Sequence, residues 1–146
     1  MAKILGVDYG ERRTGVAISD DSRTIAFPRE TLDCPRTEQA AAAVARLAEA
    51  ERVAEIVVGY PLNMNGTTGA RVVRTDEFLA ELAKRTAIPL KKWDERLSTK
   101  IAEAVLIEAG TSRGKRRGVV DKLAAQVILQ GYLDATAGGP ADEDEP

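Results

Sequence analysis

The sequence has 146 residues, a length typical of one domain, with 44% hydrophobic and 30% charged residues. It contains no histidine and a single cysteine, Cys34, which excludes a Ser-His-Asp triad, a Cys-His pair, a His-ligated zinc site and an internal disulfide. No apolar run approaches the roughly 20 residues of a membrane span, so we expect no membrane association. The low cysteine content favours a cytoplasmic protein.

The charge is unevenly distributed along the chain. The formal net charge is −2, but residues 137–146 hold four acidic residues and no basic ones, so residues 1–136 carry +2. The terminal segment is polar and rich in Gly and Pro, and we predict an acidic disordered tail that follows a single domain over residues 1–136. A solubilising role for the tail is favoured over a regulatory one.

The apolar pattern predicts strands at residues 3–9, 14–19 and 24–32, which would form an antiparallel meander. An Ala-rich helix follows from Thr37, its predicted N-cap, to Glu51. The later elements are a strand at 55–59, a helix at 68–85, a strand at 88–93, a helix at 98–109, a basic glycine-containing loop at 111–118 and a helix at 119–133. This order predicts an α/β fold with a mixed central sheet flanked by helices.

Carboxylates occupy unexpected places in this pattern. Asp8 ends the first strand, Asp94 and Glu95 follow the last strand, and Asp121 shares the apolar face of the last helix. A charge at the end of a buried strand is unfavourable unless it is paired, and ligands of open α/β sheets gather at strand carboxyl ends. Each acid also has a simpler interpretation: a turn aspartate, a solvated strand end and an acid favoured by the helix dipole.

If these acids converge, they cannot all stay ionised without cations. Carboxylate oxygens suit Mg²⁺ or Mn²⁺, and two such ions about 4 Å apart are the usual arrangement for phosphodiester hydrolysis. That chemistry needs no histidine, in agreement with the composition. We therefore expect the acids to lie within roughly 4 to 8 Å of one another.

Four segments occur together in a specific order. They are Gly6-Val-Asp-Tyr-Gly10 with Gly15-Val-Ala, Val58-Gly-Tyr-Pro-Leu-Asn63 with Gly66-Thr67, Asp94-Glu-Arg-Leu-Ser-Thr99, and Val120-Asp-Lys-Leu-Ala-Ala125 with Ile128-Leu129 and Tyr132-Leu133. Over about residues 3–134 the chain thereby resembles the YqgF/RuvX family of Holliday-junction resolvases and pre-16S rRNA nucleases.

The resemblance implies a ribonuclease H-like fold and a divalent-metal-dependent nuclease. It implies that Asp8, Glu95 and Asp121 are the catalytic, metal-binding acids. Glu95 is preferred to Asp94 because the glutamate of the Asp-Glu-Arg motif is the family's acidic position. The acidic tail lies outside the resemblance.

Basic side chains near these acids are candidates for binding a phosphate backbone, although each group is also explained by solvation. They are Arg12 and Arg13 in the first turn, and Arg113, Lys115, Arg116 and Arg117 before the last helix.

Other polar residues are open to two interpretations. Asn63, Asn65 and Thr67 precede a helix N-terminus that could accept a phosphate, but ordinary turn and capping chemistry explains them equally well. Arg71 and Arg74 are interpreted as surface charges. Trp93 is interpreted as a core residue rather than one that stacks on a base.

We expect a nuclease that processes the 5′ end of pre-16S rRNA, in association with ribosome assembly. A Holliday-junction resolvase acting on branched DNA is the alternative; it would need a dimer with two sites, and the sequence leaves monomer and homodimer open. A non-catalytic nucleic-acid-binding module is less favoured because all three acids are present. A nucleotide phosphotransferase is disfavoured because its two-domain fold exceeds this length.

Overall fold

The computed structural model describes residues 2–62, 69–95 and 113–136, without the side chains of residues 113–122. The elements are β1 (Ile4–Tyr9), β2 (Arg13–Ser19), β3 (Ala26–Asp33), α1 (Thr37–Glu51), β4 (Glu55–Tyr60), α2 (Ala70–Arg85), β5 (Leu90–Asp94) and α3 (Arg113–Thr136). The strands form a five-stranded sheet of order β3-β2-β1-β4-β5.

The sheet combines an antiparallel and a parallel half. The strands of the meander β1-β2-β3 pair antiparallel, whereas β4 pairs parallel with β1 on one side and with β5 on the other. The predicted mixed sheet flanked by helices is therefore confirmed. The parallel strands end at a common edge, which we call the carboxyl edge and define by Tyr9, Tyr60 and Asp94.

Helices cover both faces of the sheet. The side chains of a strand alternate between the two faces, and the apolar ones on each face pack against a helix layer. Leu5 and Val7 pack with α1 and α2 in one core that includes Phe78. Ile4 lies in a second core, formed with α3 through residues such as Leu129. The two cores fix both layers of helices against the central strand.

Helix α3 sits directly on β1 at a glycine. A Cβ atom at Gly6 would lie 2.7 Å from the Cβ of Leu129 and 3.2 Å from the carbonyl oxygen of Ala125. The late part of the helix is fixed by Tyr132, whose hydroxyl donates a 2.7 Å hydrogen bond to Glu55 at the start of β4. The helix therefore runs antiparallel to β4, and its early turns approach the carboxyl edge.

Two predictions about local structure are wrong. Thr37 is the first residue of α1 rather than its N-cap; Arg36 holds that position without a side-chain cap, and Oγ1 of Thr37 instead hydrogen-bonds the hydroxyl of Tyr9 at 2.8 Å. The predicted basic loop is helical from residue 113 onward. Lys and Arg are good helix formers, and core packing of the later turns offsets the roughly 1 kcal/mol that each glycine costs.

Some predictions fall on parts of the chain outside the described residues. These are the helix at 98–109, the loop that holds Asn63, Asn65 and Thr67, and the acidic tail at 137–146. Among the described residues, no helix is long and apolar enough to cross a membrane.

Candidate active site

Asp8 occupies the next-to-last position of the central strand β1. Its neighbours Val7 and Tyr9 belong to the core on the α1 and α2 side, so the alternation of the strand directs the half-buried Asp8 to the α3 side. On one flank, Asp8 is paired with Gly15 of β2. A strand held on both flanks gives this carboxylate a rigid support.

On the other flank, β1 pairs parallel with β4, and Val7 is paired with Val58. The next residue of each strand is Asp8 and Gly59, so these two residues lie side by side. A Cβ atom at Gly59 would lie 2.6 Å from Cδ1 of Ile128 and 2.8 Å from both Cγ and Oε2 of Glu95. The Glu95 carboxylate therefore fills the space above Gly59, on the α3 side of the sheet.

Glu95 directly follows β5, whose last residue Asp94 is paired with Tyr60. Only 8% of Glu95 is exposed, and its Oε1 lies 3.9 Å from Nη2 of Arg71. A carboxylate buried to this degree is favourable only with a positive partner nearby. The fold thus brings Glu95, from beyond the parallel edge strand, onto the same face as Asp8.

Asp121 reaches this region through its backbone. It lies one helical turn before Ala125, which packs against Gly6, and the direction of α3 places that turn toward the carboxyl edge. Its side chain lies outside the described part of the structure, so the convergence of the three acids stays a prediction. The described side chains, which do not include that of Asp121, contain no group of three acids or cysteines that could hold a metal ion.

The described residues fit a hard divalent cation in two respects. Asp8 and Glu95 offer oxygen donors, the ligands that Mg²⁺ and Mn²⁺ prefer, and the chain has no histidine to favour a softer metal. The absence of a side chain on Gly59 leaves the space in which the Glu95 carboxylate lies. Asp8, Glu95 and Asp121 are therefore the residues that could hold such an ion.

The predicted phosphate-binding residues fall into two groups. Arg12 lies in the turn after β1 and contacts the exposed Asp33 at 3.8 Å, and Arg13 begins β2. The basic residues of the other group lie in the first turns of α3, with their side chains outside the described set. They are Arg113, Lys115, Arg116 and Arg117.

Two arginines of α2 were missed as site residues. Arg71 contacts Glu95, and Arg74 contacts Glu11, in the turn that follows Asp8, at 3.4 Å. Their spacing on one helix face was visible in the sequence, but the neighbouring acids come from distant segments. The interpretation of both residues as surface charges alone is incomplete.

Three aromatic residues lie in β4, β5 and α3. Trp93 packs against the α3 core and meets Tyr132 edge-on, with ring centroids 6.2 Å apart, which confirms its predicted core role. Burial, and then the hydrogen bond and charge of Glu55, raise the pKa of Tyr132 well above its usual range. Burial and Asp76 also raise the pKa of Tyr60, whose ring lies 4.5 Å from Nζ of Lys92.

A mixed sheet of this order with helices on both faces is the ribonuclease H-like fold. The structure is similar to that of T. thermophilus RuvC in complex with a Holliday junction substrate, with a TM-score of 0.60 at 13% identity, covering 94% of this chain and 97% of RuvC. Fowlpox virus resolvase, solved with Holliday junction DNA, gives a TM-score of 0.54 at 12% identity and covers 91% and 97% of the two chains.

Sequence comparison places the chain more closely. The sequence model of RuvX, described as Holliday junction resolvase, matches residues 2–135. A protein of Halothermothrix orenii named "Putative pre-16S rRNA nuclease" is 48% identical over 132 residues, which are 90% of this chain and 94% of that protein. A protein of Symbiobacterium thermophilum with the same name is 47% identical over 140 residues, covering 96% and 97%.

This chain therefore belongs to the RuvX family. The family model is described as a resolvase and the relatives are named as nucleases, so the chain is a hydrolase of phosphodiester bonds with nucleic acid as its substrate.

Proposed function

We propose that the chain is a divalent-metal-dependent nuclease that processes the 5′ end of pre-16S rRNA, with Asp8, Glu95 and Asp121 as its catalytic acids. The observation that carries the proposal is the Glu95 carboxylate lying over Gly59, beside Asp8, at the carboxyl edge. The names of the relatives support pre-16S rRNA as the substrate. Action on pre-rRNA would associate the enzyme, as a monomer or homodimer, with ribosome assembly in the cytoplasm.

Each acid comes from a different element, which holds it in place. Asp8 is fixed by the strand pairs on both sides of β1, Glu95 by the end of β5 and the space above Gly59, and Asp121 by α3. When bound, Mg²⁺ or Mn²⁺ supplies the positive charge and Lewis acidity that phosphodiester hydrolysis requires. Acids held on rigid elements lose less conformational entropy on binding an ion than acids on loops would.

The acids repel a polyanionic substrate, so basic side chains must offset their charge. We assign this role to Arg12 and Arg13 in the first turn, and to the basic start of α3. The residues at that start are Arg113, Lys115, Arg116 and Arg117. Contacts of this kind position a phosphate backbone without reading its sequence. Asn63, Asn65 and Thr67 stay candidates for the same role.

Branched DNA is the second candidate substrate, and the description of the RuvX family as a Holliday junction resolvase favours it. Symmetric cleavage of a four-way junction requires two sites related by a dimer axis. A junction substrate therefore belongs in the same experiment as the rRNA.

The test is cleavage of pre-16S rRNA carrying its 5′ leader, and of four-way junction DNA, in Mg²⁺, Mn²⁺ or EDTA. Asp8→Asn should lower the rate at least about 100-fold, because it removes a metal ligand of the proposed site. Asp21→Asn is the matched control; it changes an exposed aspartate in the β2–β3 turn, at the end of the sheet away from the site. The proposal is overturned if nucleic acid binds but neither substrate is cut in a metal-dependent way. Cleavage of the junction alone would select the second candidate.

A further inference from the structure

Two arginines in the first turns of α2 point to the same edge of the sheet. Arg71 and Arg74 are three residues apart, so they share one face of the helix. The side chain of Arg71 is 55% exposed and contacts Glu95, and that of Arg74 is 38% exposed and contacts Glu11. Both are therefore accessible to solvent, Arg71 beside the proposed catalytic acid Glu95 and Arg74 beside the turn that follows Asp8.

Arg71 reaches across the end of the sheet. Helix α2 packs through Phe78 and Leu82 on the face covered by α1, whereas the Glu95 carboxylate lies on the α3 side, over Gly59. The contact between Arg71 and Glu95 thus spans the carboxyl edge, so a phosphate bound by Arg71 at this edge would lie near the Glu95 carboxylate.

The ion pairs of these arginines are long. Their nitrogen-to-oxygen distances are 3.9 and 3.4 Å, compared with 2.7 Å for Arg85 and Glu81 at the other end of the same helix. Charge-assisted hydrogen bonds are normally about 2.7 to 2.9 Å, and exposed ion pairs contribute little to stability. Little free energy is therefore needed for Arg74 to exchange the exposed Glu11 for a phosphate. Arg71 faces the buried Glu95 through one nitrogen, and its guanidinium carries further N–H donors that can bind a phosphate while that contact is kept.

We propose that Arg71 and Arg74 form a phosphate-binding pair that holds the substrate backbone beside Asp8 and Glu95. The inference rests on the proposed function. Guanidinium groups recognise phosphate oxygens through paired hydrogen bonds, so the pair binds the phosphodiester backbone that RNA and DNA share. Glu11 competes with that backbone for Arg74.

Binding is measured in the Asp8→Asn background, where the substrate stays intact, by fluorescence anisotropy over a series of salt concentrations. The probes are the 5′-leader pre-16S rRNA and four-way junction DNA. Arg71→Gln and Arg74→Gln should each raise Kd roughly 3- to 10-fold at low salt and reduce the slope of log K against log salt by about 0.7 to 0.9. Arg85→Gln is the matched control, since it breaks an arginine-glutamate pair at the far end of α2, and it should change neither quantity.

A second variant separates a phosphate contact from a general charge effect. Glu11→Gln should tighten binding by releasing Arg74, and the gain should disappear when Arg74→Gln is added. A gain that persists without Arg74, or wild-type salt slopes in both arginine variants, overturns the inference. A loss of affinity with either probe supports it and shows which nucleic acid carries the phosphate. Because no cleavage is involved, failure here leaves the nuclease proposal standing, and failure of cleavage leaves this binding result standing.

Discussion

The Glu95 carboxylate lies so close above Gly59 that its Oε2 is 2.8 Å from the point where a Cβ atom would stand. A glycine in the interior of a strand normally weakens the strand, and its presence there often marks a close approach by another group. In this sheet the approaching groups are an acid and a core side chain, Ile128. Gly59 therefore links the packing of α3 to the position of the acid.

Gly59→Ala should reduce both stability and cleavage. The added methyl must displace Ile128 or Glu95, and overpacking of this kind costs roughly 1 to 3 kcal/mol in unfolding free energy. Displacement of the carboxylate should also weaken Mg²⁺ or Mn²⁺ binding, which calorimetric titration of the folded variant measures.

Gly6→Ala is the control for the packing effect. Its added methyl would meet Leu129 and the backbone of Ala125, in the same core, and the three atoms nearest to it include no carboxylate atom. The two variants should lose similar unfolding free energy, and the loss of metal affinity should be larger in Gly59→Ala. Equal metal affinities in the two variants would contradict the link between Gly59 and Glu95.

Glu95→Gln and Asp94→Asn test which of two adjacent acids belongs to the site. Glu95 projects over Gly59, whereas Asp94 is the last residue of β5, at the register position of Tyr60. Glu95→Gln should therefore lower the metal-dependent cleavage rate at least about 100-fold, and Asp94→Asn less than about 10-fold. Steady-state cleavage of the better substrate measures both, and the reverse order of the two effects would reassign the acid to Asp94.

The strand pattern and the position of Asp8 were predictable because each depends on local alternation. The side chains of residues 3–9 alternate between two buried faces, and an acid near the end of such a strand, two residues before a turn glycine, is recognisable without its neighbours. The mixed sheet followed from the order of the elements. The helix α1 was predicted at its observed limits of Thr37 and Glu51 for the same reason, since its Ala-rich period is local.

What the sequence concealed depends on contacts between distant segments. In the sequence Gly59 is one glycine within a predicted strand, and nothing near it indicates that the Glu95 side chain packs against it. Arg71 lies 24 positions before Glu95 along the chain, so their contact follows from the parallel β4-β5 pairing and the position of α2. The local sequence around Thr37 is typical of an N-cap, but its Oγ1 forms a hydrogen bond with the hydroxyl of Tyr9, a residue of a distant strand.

The basic residues at the start of α3 should lower the stability of the fold and strengthen the binding of nucleic acid. Its first turn holds no acidic residue, although acids are the residues that the helix dipole favours there. Lys115→Gln with Arg116→Gln should therefore raise the free energy of unfolding by a few tenths of a kcal/mol, since it removes unfavourable charges. The same change should weaken nucleic-acid binding and lower its salt slope if these side chains contact phosphates.

Thermal unfolding and anisotropy measure the two effects on one preparation. Arg46→Gln with Lys84→Gln, at exposed positions of α1 and α2, also removes two positive charges and is the control for net charge. A variant of Lys115 and Arg116 that binds as tightly as this control would remove both residues from the proposed interface.

Tyr132→Phe should destabilise the fold by about 1 kcal/mol near neutral pH, because it removes the hydrogen bond from α3 to Glu55. Burial, followed by the contact with Glu55, raises the pKa of Tyr132 above its ordinary value of 10.0, so the folded protein keeps this proton to a higher pH than the unfolded chain does. As pH rises above that value, the unfolded state loses its proton first, and the stability contributed by the tyrosine declines. Denaturant unfolding from pH 7 to pH 11 should thus show the difference between wild type and Tyr132→Phe shrinking above pH 10. A difference that stays constant over this range would mean that the fold does not raise the pKa of Tyr132.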